Sequence, residues 1–543
     1  MSNPHLRAWI NNVLLPKSKR HVASHKKETP KNPKPRKAKR RKVKMILDVY
    51  HNKIVTGSPY RPILDQVASY LDPSRFYTDS YKRGRWDGRV RLYSFNRDTR
   101  KYEIPSGFLD RILKVAPQHN RQVIVNDHRS YPEVVPCSHL ADGTALDQPP
   151  FEFQAGIVEI ACAKARGVIK IATGGGKTEV AAGCILSILN SIKDSTCVWL
   201  THRQNLAAQT KSRLEKRLGM EIGCVGNGMF DIRRVTILMS QSWAITDSQE
   251  LRDFVEHATC IVGDEVHHLE SNTWQDVFRH SRAPFRFGLS ATPDFEDAGL
   301  ALIGHTGELI SALSSRDLIE CGALVRPNIW YAECSYPNPL PDQAIAVLRS
   351  KKPNMISELY NMLIVNNAYR NDLIRSVAYQ FHTEARPVLI LVSRVAHGEL
   401  LANLLNKSGI RTEYMSGSVS ANARASMMQD LKSGSLSVLV ATISIIGEGV
   451  DMPFLDAMIN ATGTRGGSDP KAVDKPGRAV VQAIGRLLRR WPGKARCDFV
   501  DITDTMTSYF KNVSLGRIQS YIAEGYEQFV NPWYKYSESM SNV

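Results

Sequence analysis

Residues 169–186, IKIATGGGKTEVAAGCIL, run from an apolar stretch through three glycines, a lysine and a threonine into a helical pattern. Strand, tight loop, then helix admits few folds other than an α/β domain with the loop at a strand's C-terminal end. Glycines let successive backbone N–H groups turn toward an anion, and the start of the helix adds its dipole. Thr173, Gly174, Gly175, Gly176 and Lys177 therefore read as a phosphate cradle. Lys177 would reach the β- and γ-phosphates of a nucleotide, and the Thr178 hydroxyl would help hold Mg²⁺. The strict pattern calls for glycine where Ile171 stands. A plain turn followed by a surface lysine is the alternative, and the flanking strand and helix disfavour it.

From residue 151 the chain keeps alternating amphipathic helices with short apolar runs. These are GVIKIAT, STCVWLT, RVTILMS, ATCIVGDE and FRFGLSATP, then RPVLILVSR, LSVLVATIS, DAMINATG and ARCDFVDI. Runs without polar alternation, each followed by a polar turn, are buried strands of mainly parallel sheets. At 543 residues the chain exceeds what one hydrophobic core organises. We read a basic tail over 1–44, a small unit over 45–130 and a proline-bearing linker over 131–150. Two α/β domains follow over 151–325 and 326–510, bridged by the proline-rich region near 321–345. A helical, then aromatic extension (Phe529, Trp533, Tyr534, Tyr536) completes the reading over 511–543.

Another apolar run closes on DEVHH, residues 264–268. A carboxylate at a strand's end, Asp264, is suited to hold Mg²⁺ through water, and Glu265 to orient and deprotonate an attacking water. His267 and His268 are adjacent, a spacing that rarely aims two rings at one ion, and no third ligand is suitably spaced. An isolated acid pair is ordinarily a solvated turn, but this one ends a buried strand downstream of a phosphate loop. On residues alone, these features describe an ATP or GTP hydrolase.

Charge is spread unevenly. Of a net +18, residues 1–44 supply +14, with 15 Lys or Arg against Glu28 alone, and residues 45–140 supply +5; the rest sums to −1. An anchoring basic region joined to an electrically balanced machine suggests a polyanionic partner. Residues 17–44 hold three prolines and almost nothing apolar, a composition disordered until bound; a solubilising tail is the other reading. No apolar run is long enough to span a membrane, and no secretory signal pattern opens the chain. Nine cysteines lie scattered without CxxC spacing. The expected setting is a reducing cytoplasm, the host's if the chain is phage-encoded, without structural zinc.

The motifs resemble, in order, those of superfamily 2 helicases and translocases. Gln154 in FEFQAGIVEIA is similar to that family's adenine-reading glutamine, which implies ATP. THRQNLAAQT, with Arg203 and Gln204, and the stretch from Thr236 to Ser240 and Gln241 resemble its strand-contacting segments. Ser290, Ala291, Thr292 and Pro293 resemble its coupling motif. Further on, MSGS, with Ser416 and Gly417, is similar to another strand contact. VLVATISIIGEGVDMP carries Thr442 as a nucleic-acid contact and Gly449 and Asp451 as nucleotide contacts. QAIGRLLRR carries Gln482, Arg486 and Arg489.

The likeness spans roughly residues 150–505. It implies an α/β fold of two tandem RecA-like domains with parallel sheets, preceded by a small α+β N-terminal DNA-recognition domain. Phosphoryl transfer needs positive charge as the γ-phosphate departs, which a neighbouring domain's arginine can supply. We take Arg489 as that finger and Arg486 as the γ-phosphate contact, one helical turn apart and facing one cleft.

Residues 81–110 resemble the N-terminal domain of phage UvsW-type branch-migration helicases, with Trp86, Asp87 and Gly88, then Pro105 and Gly107. Arg83, Arg85, Arg89 and Arg91 are expected on phosphates. Trp86 is a candidate for base stacking, although a lone tryptophan in a small domain is more often core. The implied function is an ATP-dependent DNA helicase or translocase, monomeric, acting on double-stranded or branched DNA such as forks and four-way junctions. Its roles would be replication, recombination or repair. Rival readings are an RNA-directed helicase, the motor of an ATP-dependent restriction system, and a DNA-binding scaffold with a degenerate nucleotide site.

Overall fold

The computed structural model describes residues 43–57, 61–202, 204–266, 271–291, 299–350, 354–447, 452–464 and 478–529. Two compact units result: one ends at Leu313, and the other runs from Ser314 and includes the short loop Ala172–Gly175.

The first unit is built on an eight-stranded sheet. Its order is Met229–Asp231, Gly223–Gly226, Val235–Met239, Cys197–Thr201, Cys260–Asp264, Phe285–Ser290, Arg166–Ile171 and Leu309–Leu313. Every pairing is parallel except the edge strand Met229–Asp231. Val235–Met239, Cys197–Thr201 and Cys260–Asp264 are buried at every residue, because helices cover both faces of the sheet. The five apolar runs of this half are all strands.

N-terminal to it lies a five-stranded sheet in the order Ser94–Asn96, Lys101–Pro105, Lys53–Gly57, Val43–Val49 and Arg121–Asp127. This part does not close on itself as the boundaries 45–130 suggest. Its core of Met45, Leu47, Ile54, Leu64, Ile104, Phe108 and Ile112 also takes in Leu300, Ala301 and Ile303 from the helix Leu300–Thr306. Gly107 comes so close to that helix that a Cβ would strike the Ile303 carbonyl, and Gly304 lies against the Phe108 ring. The Arg166 guanidinium donates to the carbonyls of His51 (3.2 Å) and Thr306 (3.2 Å) and to Ser106 Oγ (2.9 Å). Residues 131–150 form no helix and no ladder strand, yet they are not a free linker. Leu140 and Leu146 are buried, Cys137 N–H donates to Ser187 Oγ (2.9 Å), and Asp142 pairs with Arg217 (2.6 Å).

The second unit holds an all-parallel seven-stranded sheet. Its order is Thr412–Met415, Val438–Thr442, Val388–Val392, Ala457–Asn460, Cys497–Asp504, Pro327–Cys334 and Glu527–Phe529. Two readings are corrected here. The proline-rich region is not only a bridge, since Pro327–Cys334 pairs along its whole length with Cys497–Asp504. Proline is tolerated there because it opens the strand. Residue 511 is likewise no boundary. It lies inside the helix Ser508–Ala523, which buries Phe510, Val513, Arg517 and Tyr521, and Glu527–Phe529 then adds a strand to the sheet. Trp533, Tyr534 and Tyr536 lie outside the described residues. No described helix is long and apolar enough to cross a membrane, and all nine cysteines are free thiols.

Candidate nucleotide and nucleic-acid sites

The strand Arg166–Ile171 leads into the glycine loop, and the helix Lys177–Ser191 leaves it. Gly174 (φ 90°) and Gly176 (φ 85°) both adopt left-handed backbone, which a side chain would strain. A Cβ on Gly176 would also collide with the Gln154 carboxamide. Gln154, only 3% exposed in the helix Phe153–Lys164, is thus brought against the loop from far upstream in the chain. A residue missed from the sequence anchors the helix: buried Glu179 pairs with Arg213 (3.2 Å) and Arg217 (3.3 Å). Its signal was weak, one acid in a helix's first turn.

Asp264 ends the central strand Cys260–Asp264 and is 8% exposed. Glu265 follows in left-handed backbone (φ 53°), and Lys177 Nζ lies 3.8 Å from its Oε1. Loop lysine and both acids therefore meet. Burial, reinforced by the neighbouring Glu265 charge, pushes the Asp264 carboxyl up to about 7, and Lys177 opposes the shift. Such a carboxylate is short of positive charge. Hydroxyl and carboxylate oxygens are the hard donors that suit Mg²⁺, so Thr178 and Asp264 are the residues that would hold the ion. Ser290 and Ala291 are buried at the end of the adjacent strand. Thr292, Pro293, His267 and His268 lie outside the described residues.

In the second unit, Gln482 and Arg486 lie on the helix Arg478–Leu487. Arg489 does not share it. The helix stops at Leu487, and Arg489 forms a β-bridge with Leu324, so the argument from one helical turn fails. Lys494 replaces the missing continuation, its ammonium donating to the carbonyls of Leu487 (2.5 Å), Pro453 (3.0 Å) and Arg489 (3.1 Å). Burial lowers its pKa. Gly449 and Asp451 lie outside the described residues.

The strand-contact candidates gather at C-terminal strand ends, where open α/β sheets present their ligands. Ser416 and Thr442 follow the paired residues Met415 and Ala441, and Gly417 is exposed beside them. In the first unit Gln241 Nε2 donates to the His202 carbonyl (2.8 Å). Gln204 opens the helix Gln204–Leu218, and Arg203 lies outside the described residues.

The N-terminal arginines divide. Arg83 and Arg85 are exposed. Arg89 donates to Ser69 Oγ (3.2 Å), and Arg91 is held by Asp87 (2.5 Å) and Asp65 (2.8 Å), so its charge is spent inside the domain. Trp86 is neither core nor a free ring: it is half-buried, with its indole N–H on the Arg89 carbonyl (2.9 Å).

Two family models match the chain, the type III restriction enzyme res subunit over residues 151–295 and the helicase conserved C-terminal domain over 370–490. The ATP-dependent DNA helicase uvsW of Enterobacteria phage T4 is 20% identical over 465 residues, 82% of this chain and 87% of that protein. Together these matches support an assignment to the superfamily 2 helicases, related to T4 uvsW. The chain is also similar to "Putative helicase 22" of Sulfolobus islandicus filamentous virus, 24% identical over 62% of this chain and 60% of that protein. The DNA 3'-5' translocase XPB2 of Sulfurisphaera tokodaii is 29% identical over 40% of this chain and 44% of its own length. The chain thus spans less than two thirds of the length of both these relatives. The crystal structure of T4 UvsW covers 90% of it at 16% identity, with a TM-score of 0.41.

Proposed function

We propose that the chain is an ATP-driven motor that moves along DNA and remodels branched forms of it, forks and four-way junctions. The observation that carries this reading is the meeting of Lys177 with Glu265 and buried Asp264 at the end of a glycine loop. Lys177 and the loop N–H groups hold the β- and γ-phosphates, and Gln154 contacts the base. Thr178 and Asp264 hold Mg²⁺, which supplies charge neutralisation of the phosphates. Glu265 orients the attacking water and takes its proton at a carboxylate oxygen. Arg486 and Arg489 offer positive charge to the departing phosphate, Gln482, Gly449 and Asp451 complete the nucleotide contacts, and Arg489's backbone is steadied by Lys494. Ser416, Gly417, Thr442, Gln241, Arg203 and Gln204 grip the strand, and Arg83 and Arg85 hold the duplex outside the motor.

DNA rather than RNA is favoured by the N-terminal WDG segment and by the likeness to the phage T4 DNA helicase. The test is ATP turnover and strand rearrangement on four-way junctions, forks, plain duplex and RNA. Greatest stimulation by branched DNA is the expected result; stimulation by RNA alone refutes it. The match to a restriction res subunit favours a second reading, a restriction motor. ATP-dependent cleavage of a plasmid, alone or with a recruited nuclease, would decide for that one.

A further inference from the structure

The short antiparallel strands Ser69–Leu71 and Arg89–Arg91 close an excursion whose tip carries a 3₁₀ turn at Arg75–Tyr77 and a helical turn at Asp79–Lys82. The WDG residues hold this excursion together through bonds to its own strand, although the Asp87 side chain is itself half exposed. Trp86 bonds the Arg89 carbonyl, and Asp87 accepts from Arg89 N–H (3.1 Å) and the Arg91 guanidinium. Gly88 (φ 76°) sits where a Cβ would lie 2.7 Å from Arg75 Cδ and 2.9 Å from the Tyr81 ring.

What the tip presents is a different pair of rings. Phe76 is 56% exposed and Tyr77 is 85% exposed. The Arg75 guanidinium lies 4.3 Å from the Phe76 ring centre, and Tyr81 meets Phe76 edge-on at 5.5 Å. Phe76 is therefore braced on the inside while its outer surface stays open. Lys82, Arg83 and Arg85 are exposed on the following turn. Adjacent large rings left in water mark a surface meant to be covered. Rings flanked by cations suit a base that stacks while its phosphates are held.

We propose that Arg75, Phe76 and Tyr77 form a stacking tip for an unpaired nucleobase at a DNA branch, with Lys82, Arg83 and Arg85 on the adjoining phosphates. This rests on the reading of the chain as a DNA motor, and it moves the stacking role from Trp86 to the neighbouring turn. A continuous duplex offers no open base face, so the tip distinguishes a branch from plain duplex.

The experiment uses the full chain with a DNA fork carrying 2-aminopurine at the first unpaired position, a duplex of equal length, and an RNA fork. The proteins are the wild type, the Phe76→Ala/Tyr77→Ala double variant and Tyr77→Trp. The double variant should lose the 2-aminopurine response and bind the fork about tenfold more weakly, while Tyr77→Trp keeps both. Duplex affinity and duplex-stimulated ATP turnover should match the wild type in every variant. Unchanged fork binding by the double variant overturns the tip alone, and so does an equal loss on duplex. A wild-type preference for the RNA fork with the same aromatic dependence overturns the assignment to DNA. If no DNA stimulates the wild type, the motor reading fails first and the tip falls with it.

Discussion

The two sheets handle the acids of their central strands in opposite ways. In the second unit the two buried aspartates of the strand Cys497–Asp504 are closed off. Asp501 receives Arg517 (2.7 Å and 3.0 Å), Tyr521 (2.5 Å) and Asn460 (2.8 Å), and Asp504 receives Arg370 (2.6 Å and 3.0 Å). Both arginines are fully buried; burial opposes their charge, but the facing aspartates outweigh it and raise their pKa values. In the first unit Lys177 stands 3.8 Å from Glu265, and burial holds Asp264 toward its neutral form. Two-pronged, fully buried pairs of this kind are structural. A loose, undercompensated set is what a phosphate and its metal would complete.

That contrast breaks most directly at Lys177. Lys177→Ala should lower ATP turnover about 10³-fold or more, roughly 4 kcal/mol in the barrier, while the melting temperature stays near wild type. Phosphate release and calorimetry read the two. Wild-type turnover in this variant would refute the site. Arg517→Met should do the reverse, destabilising the fold by about 3–5 kcal/mol because it strands a buried carboxylate. Adding Asp501→Asn should recover part of the loss in thermal unfolding; if it recovers none, the pair is not the reason.

Gly107→Ala tests whether the N-terminal sheet belongs to the first unit. The clash with the Ile303 carbonyl should destabilise by about 1–3 kcal/mol, with faster amide exchange concentrated in Val43–Val49 and the helix Leu300–Thr306. Uniform exchange across the unit would contradict docking. The mildest effect separates exposed arginines from tied ones. Arg83→Gln and Arg85→Gln should each reduce the salt slope of DNA binding by about 0.9, and Arg91→Gln should leave the slope alone while lowering the melting temperature. Equal slopes for all three would erase the distinction.

Much of this was legible without coordinates. GVIKIAT, ATCIVGDE and LSVLVATIS are buried strands because a run apolar on both faces has nowhere else to go, and GGGKT turns because glycine alone accepts that backbone. Less visible were short strands of mixed composition, such as Met229–Asp231 and Leu309–Leu313, whose pairing depends on neighbours. The helical spacing from Arg486 to Arg489 misled because a chain leaves a helix wherever its last carbonyls find other donors, here Lys494.

Order along the chain was enough to establish the two parallel α/β cores, the phosphate loop and the acid pair, since each rests on hydrogen bonding and hydrophobic period within one segment. Which charges are free and which are consumed was settled only by folding. Arg91 and Arg83 look alike in sequence, yet Arg91 is tied to Asp87 and Asp65 while Arg83 is exposed, and Asp501 takes Arg517 while Asp264 lies beside Glu265 and is buried. Coulomb energy depends on distance in space and on the water excluded around the pair, and neither is written in spacing along a strand.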